Sequence, residues 1–200
     1  SVITGTVIGS VTEDSKLSAS GVLSITDVDN GDTPAFNAED VSGTYGTVTV
    51  QSDGSWTYNL NNDLIQNLDA GQSVTDTITL TASDGTTKAI TITVYGSEDE
   101  AVVAGTYVGS VKEDALGAAS GTIDISDIDT NDTPAFSATT ITSTYGALAL
   151  DADGAWTYTL DDASVQGLDE GDTATDIITL TATDGTQKAI TITINGSEDA

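Results

Sequence analysis

From Ile78 to Ala82 the chain reads Ile-Thr-Leu-Thr-Ala, and from Ile90 to Val94 it reads Ile-Thr-Ile-Thr-Val. Apolar and hydroxylated residues alternate one for one. A period of two sends successive side chains to opposite faces of a strand, so each stretch predicts a β-strand with one buried face and one wet face. With Ser83-Asp84-Gly85-Thr86 between them, residues 75–82 and 88–94 predict an antiparallel hairpin. A second hairpin is predicted from residues 47–51 and 55–60, because the Asp53-Gly54 pair between them supplies the positive φ of a tight turn. Upstream, residues 2–11 predict a first strand that stops at Glu13-Asp14, and residues 21–26 a second. The second strand runs into Asp27-Val28-Asp29-Asn30-Gly31-Asp32-Thr33-Pro34, a loop that neither strand nor helix accepts. Leu64, Ile65 and Leu68 support one or two helical turns over residues 61–68. Trp56 and Tyr58 share one strand face, and the tryptophan is expected to plug the core.

The whole pattern is written twice. Aligning each position with the one a hundred residues later needs no gap, and more than half of the paired residues are identical. This predicts two domains, residues 1–99 and 100–200. Short, mostly antiparallel strands with frequent turns and one central tryptophan make each of them an all-β, Greek-key β-sandwich of the immunoglobulin kind. Loops then fall at two poles of each sandwich. Glu13-Asp14 and Asp69 are assigned to the trailing pole, where the chain leaves the domain, and Asp27, Asp29 and Asp84 to the leading pole.

Charge changes the picture most. Asp and Glu number 32 against four lysines and no arginine, for a net charge of −28, which excludes nucleic acid and anionic membranes as partners and favours multivalent cations. With no cysteine and no histidine there is no disulfide, no thiolate chemistry, and no Ser-His or Cys-His nucleophile. No stretch approaches the roughly 18 apolar residues of a membrane helix. Ser1-Val2-Ile3-Thr4 does not read as a signal peptide, and the chain reads as a piece of something longer.

Gly96-Ser97-Glu98-Asp99-Glu100 joins the two domains without a flexible spacer and returns as Gly196-Ser197-Glu198-Asp199-Ala200. Three consecutive carboxylates at a junction repel one another unless a cation lies among them. The trailing pole of the first domain is expected to bring Glu13, Asp14 and Asp69, with Glu98, Asp99 and Glu100, toward Asp127, Asp129 and Asp184. That supplies enough hard oxygen ligands for the six to eight positions of Ca2+, and fits the small octahedron of Mg2+ less well. Asp27, Asp29 and Asp84 at one end, and Glu113, Asp114, Asp169, Glu198 and Asp199 at the other, are the corresponding half-sites. The Asp27–Asp32 loop is not an EF-hand: its glycine comes one position early and no Glu stands at the twelfth position.

Glu-Asp after the first strand, Ile-Thr-Asp-Val-Asp, Thr-Tyr-Gly, Asp-Gly-Ser-Trp-Thr-Tyr, Thr-Ala-Ser-Asp-Gly-Thr and the closing Gly-Ser-Glu-Asp resemble the VCBS repeats of very large, RTX-type bacterial surface adhesins. Those repeats are similar to cadherin domains. Glu13, Asp127-Ile128-Asp129, Leu68-Asp69 and Glu98-Asp99 match the calcium motifs of that fold, while Gly71 replaces the second acid of the Leu-Asp turn and Glu98 stands where the repeats usually carry Asn. The resemblance implies a secreted, calcium-rigidified extender on the bacterial cell surface, serving adhesion and biofilm formation, with neighbouring repeats of the same chain as partners and this piece a monomer. A glycan- or protein-binding module acting through Tyr95 and Tyr107 is the alternative. A glycosidase built on paired aspartates is disfavoured, because the acids lie on polar loops without a cleft.

Overall fold

The structure, a computed structural model, describes residues 1–198. Contacts divide the chain into two compact units: Ser1–Asp99 together with Ile128–Asn131, and Glu100–Asp127 together with the residues from Asp132 onward.

The first unit is a sandwich of a five-stranded and a three-stranded sheet. Its strands are β1 (Val2–Gly5), β2 (Ile8–Thr12), β3 (Ser18–Thr26), β4 (Glu39–Ser42), β5 (Gly46–Val50), β6 (Ser55–Leu60), β7 (Ser73–Thr81) and β8 (Thr87–Tyr95). The larger sheet runs β1-β3-β6-β5-β4 and the smaller β2-β8-β7. Alternation does its expected work in the second hairpin: Ile78, Leu80, Ile90, Ile92 and Val94 are buried between the sheets, and the intervening threonines face outward. Trp56 is the plug, 1% exposed, with its indole N–H donating to the Thr6 carbonyl at 2.9 Å. Gly21 leaves room for that ring, since a Cβ there would stand 2.6 Å from it.

The predicted first strand is in fact two. Gly5 adopts φ of 116°, a conformation open to glycine and strained for other residues, and the chain there leaves the larger sheet for the smaller. The alternation of residues 2–11 carries no sign of the switch, because both halves bury the same parity: Ile3 in β1 and Val11 in β2. Strand β4 also escapes the sequence pattern, since Glu-Asp-Val-Ser has one half-buried residue at an outer edge. The predicted helical turns shrink to a 3-10 turn over Asn62–Leu64. The pole assignment holds, although not through strict reversal at every connection. β1 and β2 keep one direction and β4 adds one reversal, which places Glu13-Asp14 and Asp69 at one pole and Asp27 and Asp84 at the other.

The second unit repeats this plan with β9 (Val102–Gly105), β10 (Val108–Lys112), β11 (Ala118–Ser126), β12 (Thr139–Thr142), β13 (Gly146–Leu150), β14 (Ala155–Leu160), β15 (Thr173–Thr181) and β16 (Gln187–Asn195). Its sheets are β12-β13-β14-β11-β9 and β10-β16-β15, around Trp156 and Tyr158. Among the described residues, no helix is long and apolar enough to cross a membrane.

Candidate metal centre

Strand β2 ends in the turn that carries Glu13 and Asp14. The Glu13 amide continues the ladder by donating to the Tyr95 carbonyl at 3.0 Å, which holds the glutamate against the place where the chain leaves β8. Asp14 takes up φ of 56°, a left-handed position in which a short polar side chain is the tolerable non-glycine choice. Its carboxylate accepts from the Asn62 amide at 2.6 Å and from Gln66 at 3.1 Å, and these donors hold it below the ordinary carboxylate range.

Glu13 is fully buried. Its Oε1 accepts a long 3.4 Å bond from Gln66, while Oε2 has no hydrogen-bond partner. An ionised oxygen removed from water without a donor costs several kcal/mol. Burial first, then the neighbouring charges of Asp99 and Asp14, push the Glu13 carboxyl up to about 7. Oxygens of Glu13, Asp14 and Asp99 lie within 4.8 Å of one another. The same unit contains the Ile128–Asn131 segment, in which Asp129 is 3% exposed and accepts the Asp99 amide at 2.9 Å. Asp69, also buried, accepts the Asn131 amide N–H at 3.1 Å and its side-chain amide as well. Five of the carboxylates singled out from sequence, Glu13, Asp14, Asp69, Asp99 and Asp129, are thus gathered within the first unit.

At the leading pole Asp27, Asp29 and Asp32 form a second set. Asp27 accepts the Asp29 amide at 2.8 Å and the Ser1 ammonium at 2.8 Å. Asp84 meets the Ser1 hydroxyl, and Thr33, Pro34 and Ser83 complete a cleft of about 240 Å³ with Asp27, Asp32 and Asp84. Asp84 also accepts the Thr86 amide at 2.9 Å, and Asp184 the Thr186 amide at 3.0 Å, so both double as caps of their own hairpin turns. The Ser1 hydroxyl and then the Thr86 amide hold the Asp84 carboxyl low, and the Thr186 hydroxyl and then its amide hold that of Asp184 low.

In the second unit Glu113 repeats Glu13: it is fully buried, Oε1 accepts the Ser197 amide at 2.9 Å, and Oε2 has no partner. Asp114 repeats the left-handed backbone with φ of 55°. Asp127 is half-buried, while Asp169, Glu98, Glu100 and Glu198 are exposed. Asp199 lies outside the described residues. Sequence reasoning missed Asp32, Asn62, Gln66, Asn131 and Asp162. Asp32 stands in the Asp-rich loop and could have been included by the same logic. The others speak only through loops that meet in three dimensions.

Sequence reasoning also missed a buried acid in each core. Asp76, fully buried in β7, accepts the amides of Thr44 and Tyr45 at 2.8 and 2.9 Å and the Tyr58 hydroxyl at 2.9 Å. Asp176 repeats the arrangement and adds the Ser143 hydroxyl at 2.6 Å. These carboxylates bolt the β4–β5 and β12–β13 turns to the opposite sheet, and their full set of donors distinguishes them from Glu13.

The donor set at the Glu13 pole consists of hard oxygens, carries excess negative charge and contains a buried oxygen that nothing in the protein satisfies. It fits Ca2+. No curated protein matches the chain. Its structural likenesses include domains EC1-2 of human mucin-like protocadherin (12% identity, TM-score 0.43, covering 99% of each chain). They also include EC22-24 of mouse cadherin-23 (14% identity, TM-score 0.47, 96% of this chain and 63% of that one). A third is a Ca2+-stabilized adhesin that helps an Antarctic bacterium reach out and bind ice (16% identity, TM-score 0.26, 99% of this chain and 49% of that one). The sequence profile of the bacterial cadherin-like domain matches residues 1–96 and again residues 98–196, so the chain belongs to the bacterial cadherin-like domain family as a tandem pair.

Proposed function

We propose that this chain is a calcium-rigidified extender segment of a large bacterial surface adhesin. The observation that carries the reading is Glu13 Oε2, buried without a hydrogen-bond donor among Asp14 and Asp99. A divalent cation supplies the positive charge that this oxygen lacks. Glu13 and Asp14 come from the end of β2, while Asp99 comes from the linker, so an ion held by all three fastens the linker to the body of its unit. Without the ion the carboxylates repel and the linker is free to bend. Membership of the bacterial cadherin-like family, the tandem repeat and the lack of any Ser-His or Cys-His nucleophile support a load-transmitting, non-enzymatic role outside the cell, with neighbouring repeats of the same chain as partners.

Small-angle scattering in calcium and then in excess chelator tests the reading: the maximum dimension is expected to be well defined in calcium and to spread to shorter values in chelator. Identical profiles in both conditions refute it. Calorimetry on Glu13→Gln separates the site from general acidity, since removing one carboxylate charge from a non-specific surface of net charge −28 leaves calcium binding nearly unchanged, whereas loss of a ligand abolishes the tight phase.

A further inference from the structure

An asparagine or aspartate followed by glycine is open to attack by its own main chain. The glycine nitrogen can close a five-membered ring on the preceding side-chain carbonyl carbon, and no Cβ obstructs the approach. The chain holds six such pairs: Asn30-Gly31, Asp53-Gly54, Asp84-Gly85, Asp153-Gly154, Asp184-Gly185 and Asn195-Gly196. The two asparagines are the faster reactants, because a neutral amide accepts a nucleophile that an ionised carboxylate repels.

The fold restrains five of the six glycine amides. In the four Asp-Gly turns the glycine N–H donates back across the turn at 2.9 to 3.0 Å. Gly196 donates to the Asp172 carbonyl at 3.0 Å. Asn195 before it closes β16, with its side-chain amide donating to the Ser110 hydroxyl at 2.9 Å and to the Val111 carbonyl at 3.0 Å. Gly31 differs. Among the described residues its amide finds no acceptor, although the amides flanking the pair do: that of Asp29 donates to the Asp27 carboxylate at 2.8 Å and that of Asp32 to the Asp29 carbonyl at 3.3 Å. Asn30 and Gly31 are both exposed, and a Cβ on Gly31 would meet nothing within 4 Å. Nothing there holds the nitrogen away from the side chain.

We propose that Asn30-Gly31 is a site of spontaneous, irreversible self-modification at the leading pole of the first unit. The Gly31 nitrogen gives its proton to hydroxide and bonds to the Asn30 Cγ. The Cγ–Nδ2 bond breaks, and ammonia leaves with a proton taken from water. Water then opens the succinimide ring at either carbonyl, giving aspartate or isoaspartate at position 30. The net change is water in and ammonia out. The loop that carries Asp27, Asp29 and Asp32 gains a further carboxylate, and in the isoaspartyl product an extra main-chain carbon as well. The second unit has Thr130 and Asn131 at the matching positions and lacks the reaction there. The inference goes beyond the stalk reading and needs no ion.

Peptide mapping by mass spectrometry tests it on the two-unit chain incubated in mildly alkaline buffer with chelator. Asn30 is expected to lose its amide first, with aspartyl and isoaspartyl peptides both present. Asn195 is expected to react about a hundredfold more slowly, because the two bonds of its side chain and that of the Gly196 amide must open first. In concentrated urea the two sites, now alike, are expected to react at similar rates. Asn30→Thr installs the residue that the second unit carries and is expected to remove the early acidic species from an ion-exchange profile. An Asn30 that reacts in urea and stays intact in the folded chain overturns the proposal, as do equal rates at Asn30 and Asn195 in the folded chain. Persistence of the early acidic species in Asn30→Thr overturns it too. If Asn30→Thr does not fold, the folded and urea samples of the unsubstituted chain decide the matter. Failure here leaves the scattering result in calcium untouched, and the converse also holds.

Discussion

The two units share a fold and differ in how their acids are surrounded. Next to Asp14 the first unit places Asn62, whose amide donates to the carboxylate at 2.6 Å. The second unit has Asp162 at the equivalent position, accepting the Asp114 amide at 3.0 Å, so two carboxylates stand where the first unit has a carboxylate and an amide. The cores differ in the opposite sense. Asp76 lies against Gly43, whereas Asp176 gains the hydroxyl of Ser143. One unit has the better neutralised surface acid and the other the better neutralised core acid. Identical topology therefore fixes where a carboxylate sits, and a single neighbour sets what it costs.

The largest effects are expected in the cores. Asp176→Ala strands two hydroxyls and two backbone amides and should cost about 3–5 kcal/mol in the unfolding of the second unit, read by calorimetric denaturation. Asp76→Ala strands three donors and should cost roughly 1 kcal/mol less, the value of one hydrogen bond. Ser143→Gly should remove that difference. Gly43→Ser should not create it, because a Cβ at Gly43 collides with the Asp76 carboxylate. The buried tyrosines agree in direction: burial and the adjacent carboxylate raise both Tyr58 and Tyr158. For Asp176, burial works upward, but the Ser143, Tyr158 and backbone donors outweigh it and hold the group below its ordinary value.

The buried acids also show how far the sequence could be read. Along β7 the inward row is Val74, Asp76, Ile78, Leu80, so the period of two places an aspartate on the apolar face in plain view. What the row does not disclose is the partner set, because Thr44 and Tyr45 lie some thirty residues away in a turn that follows a strand with almost no apolar signal. Trp56, the two hairpins and the duplication were legible because each is a local or periodic feature. The division of residues 2–11 between two sheets was not, because Ile3 and Val11 keep the same parity across the break at Gly5. For the candidate metal centre, carboxylates close to strand ends were legible in type and in pole. Their spacing, and the amides of Asn62, Gln66 and Asn131 that tune them, depend on loop packing.

A smaller and pH-dependent effect is expected at Glu13. Its folded pKa of about 7 lies above the ordinary glutamate value of 4.5, so between those limits the folded chain holds a proton that the unfolded chain has released. Metal-free protein should therefore lose stability as pH rises from about 4.5 to 7, by at most about 3.5 kcal/mol at roughly 1.4 kcal/mol per pKa unit. Melting in chelator at pH 5 and pH 8 measures this. Glu13→Gln should flatten the dependence and raise the metal-free melting temperature at pH 8. In calcium the dependence should reverse, because the ion needs the carboxylate deprotonated.

The amide-for-carboxylate exchange is expected to weigh less, since both side chains are near the surface. Asn62→Asp in the first unit should strengthen calcium binding at the Glu13 set by about 1 kcal/mol, and Asp162→Asn should weaken the Glu113 set by a similar amount, with both effects shrinking as salt rises. Calorimetric titrations at two ionic strengths check the pair. Equal affinities in the exchanged proteins would show that Asp162 only caps the Asp114 turn.

The smallest difference lies on the flank of the units. Lys188 stands over the Tyr107 ring, 3.9 Å from its centre, whereas the position matching Tyr107 in the first unit is Val7, so Lys88 has no ring beneath it. A cation over an exposed aromatic face is worth about 0.5–1 kcal/mol. Tyr107→Val should therefore destabilise the second unit by about that amount, and Val7→Tyr should give the first a comparable gain. Because Tyr107 is also the carbonyl acceptor of the Thr191 amide, its backbone role survives the substitution. Lys188→Gln in the tyrosine and valine backgrounds completes a double-mutant cycle that isolates the ring contact from loss of bulk. If Lys188→Gln costs the same over valine as over tyrosine, the lysine is merely solvated beside the ring, and the one cation–π pair among the described residues contributes nothing that the first unit lacks.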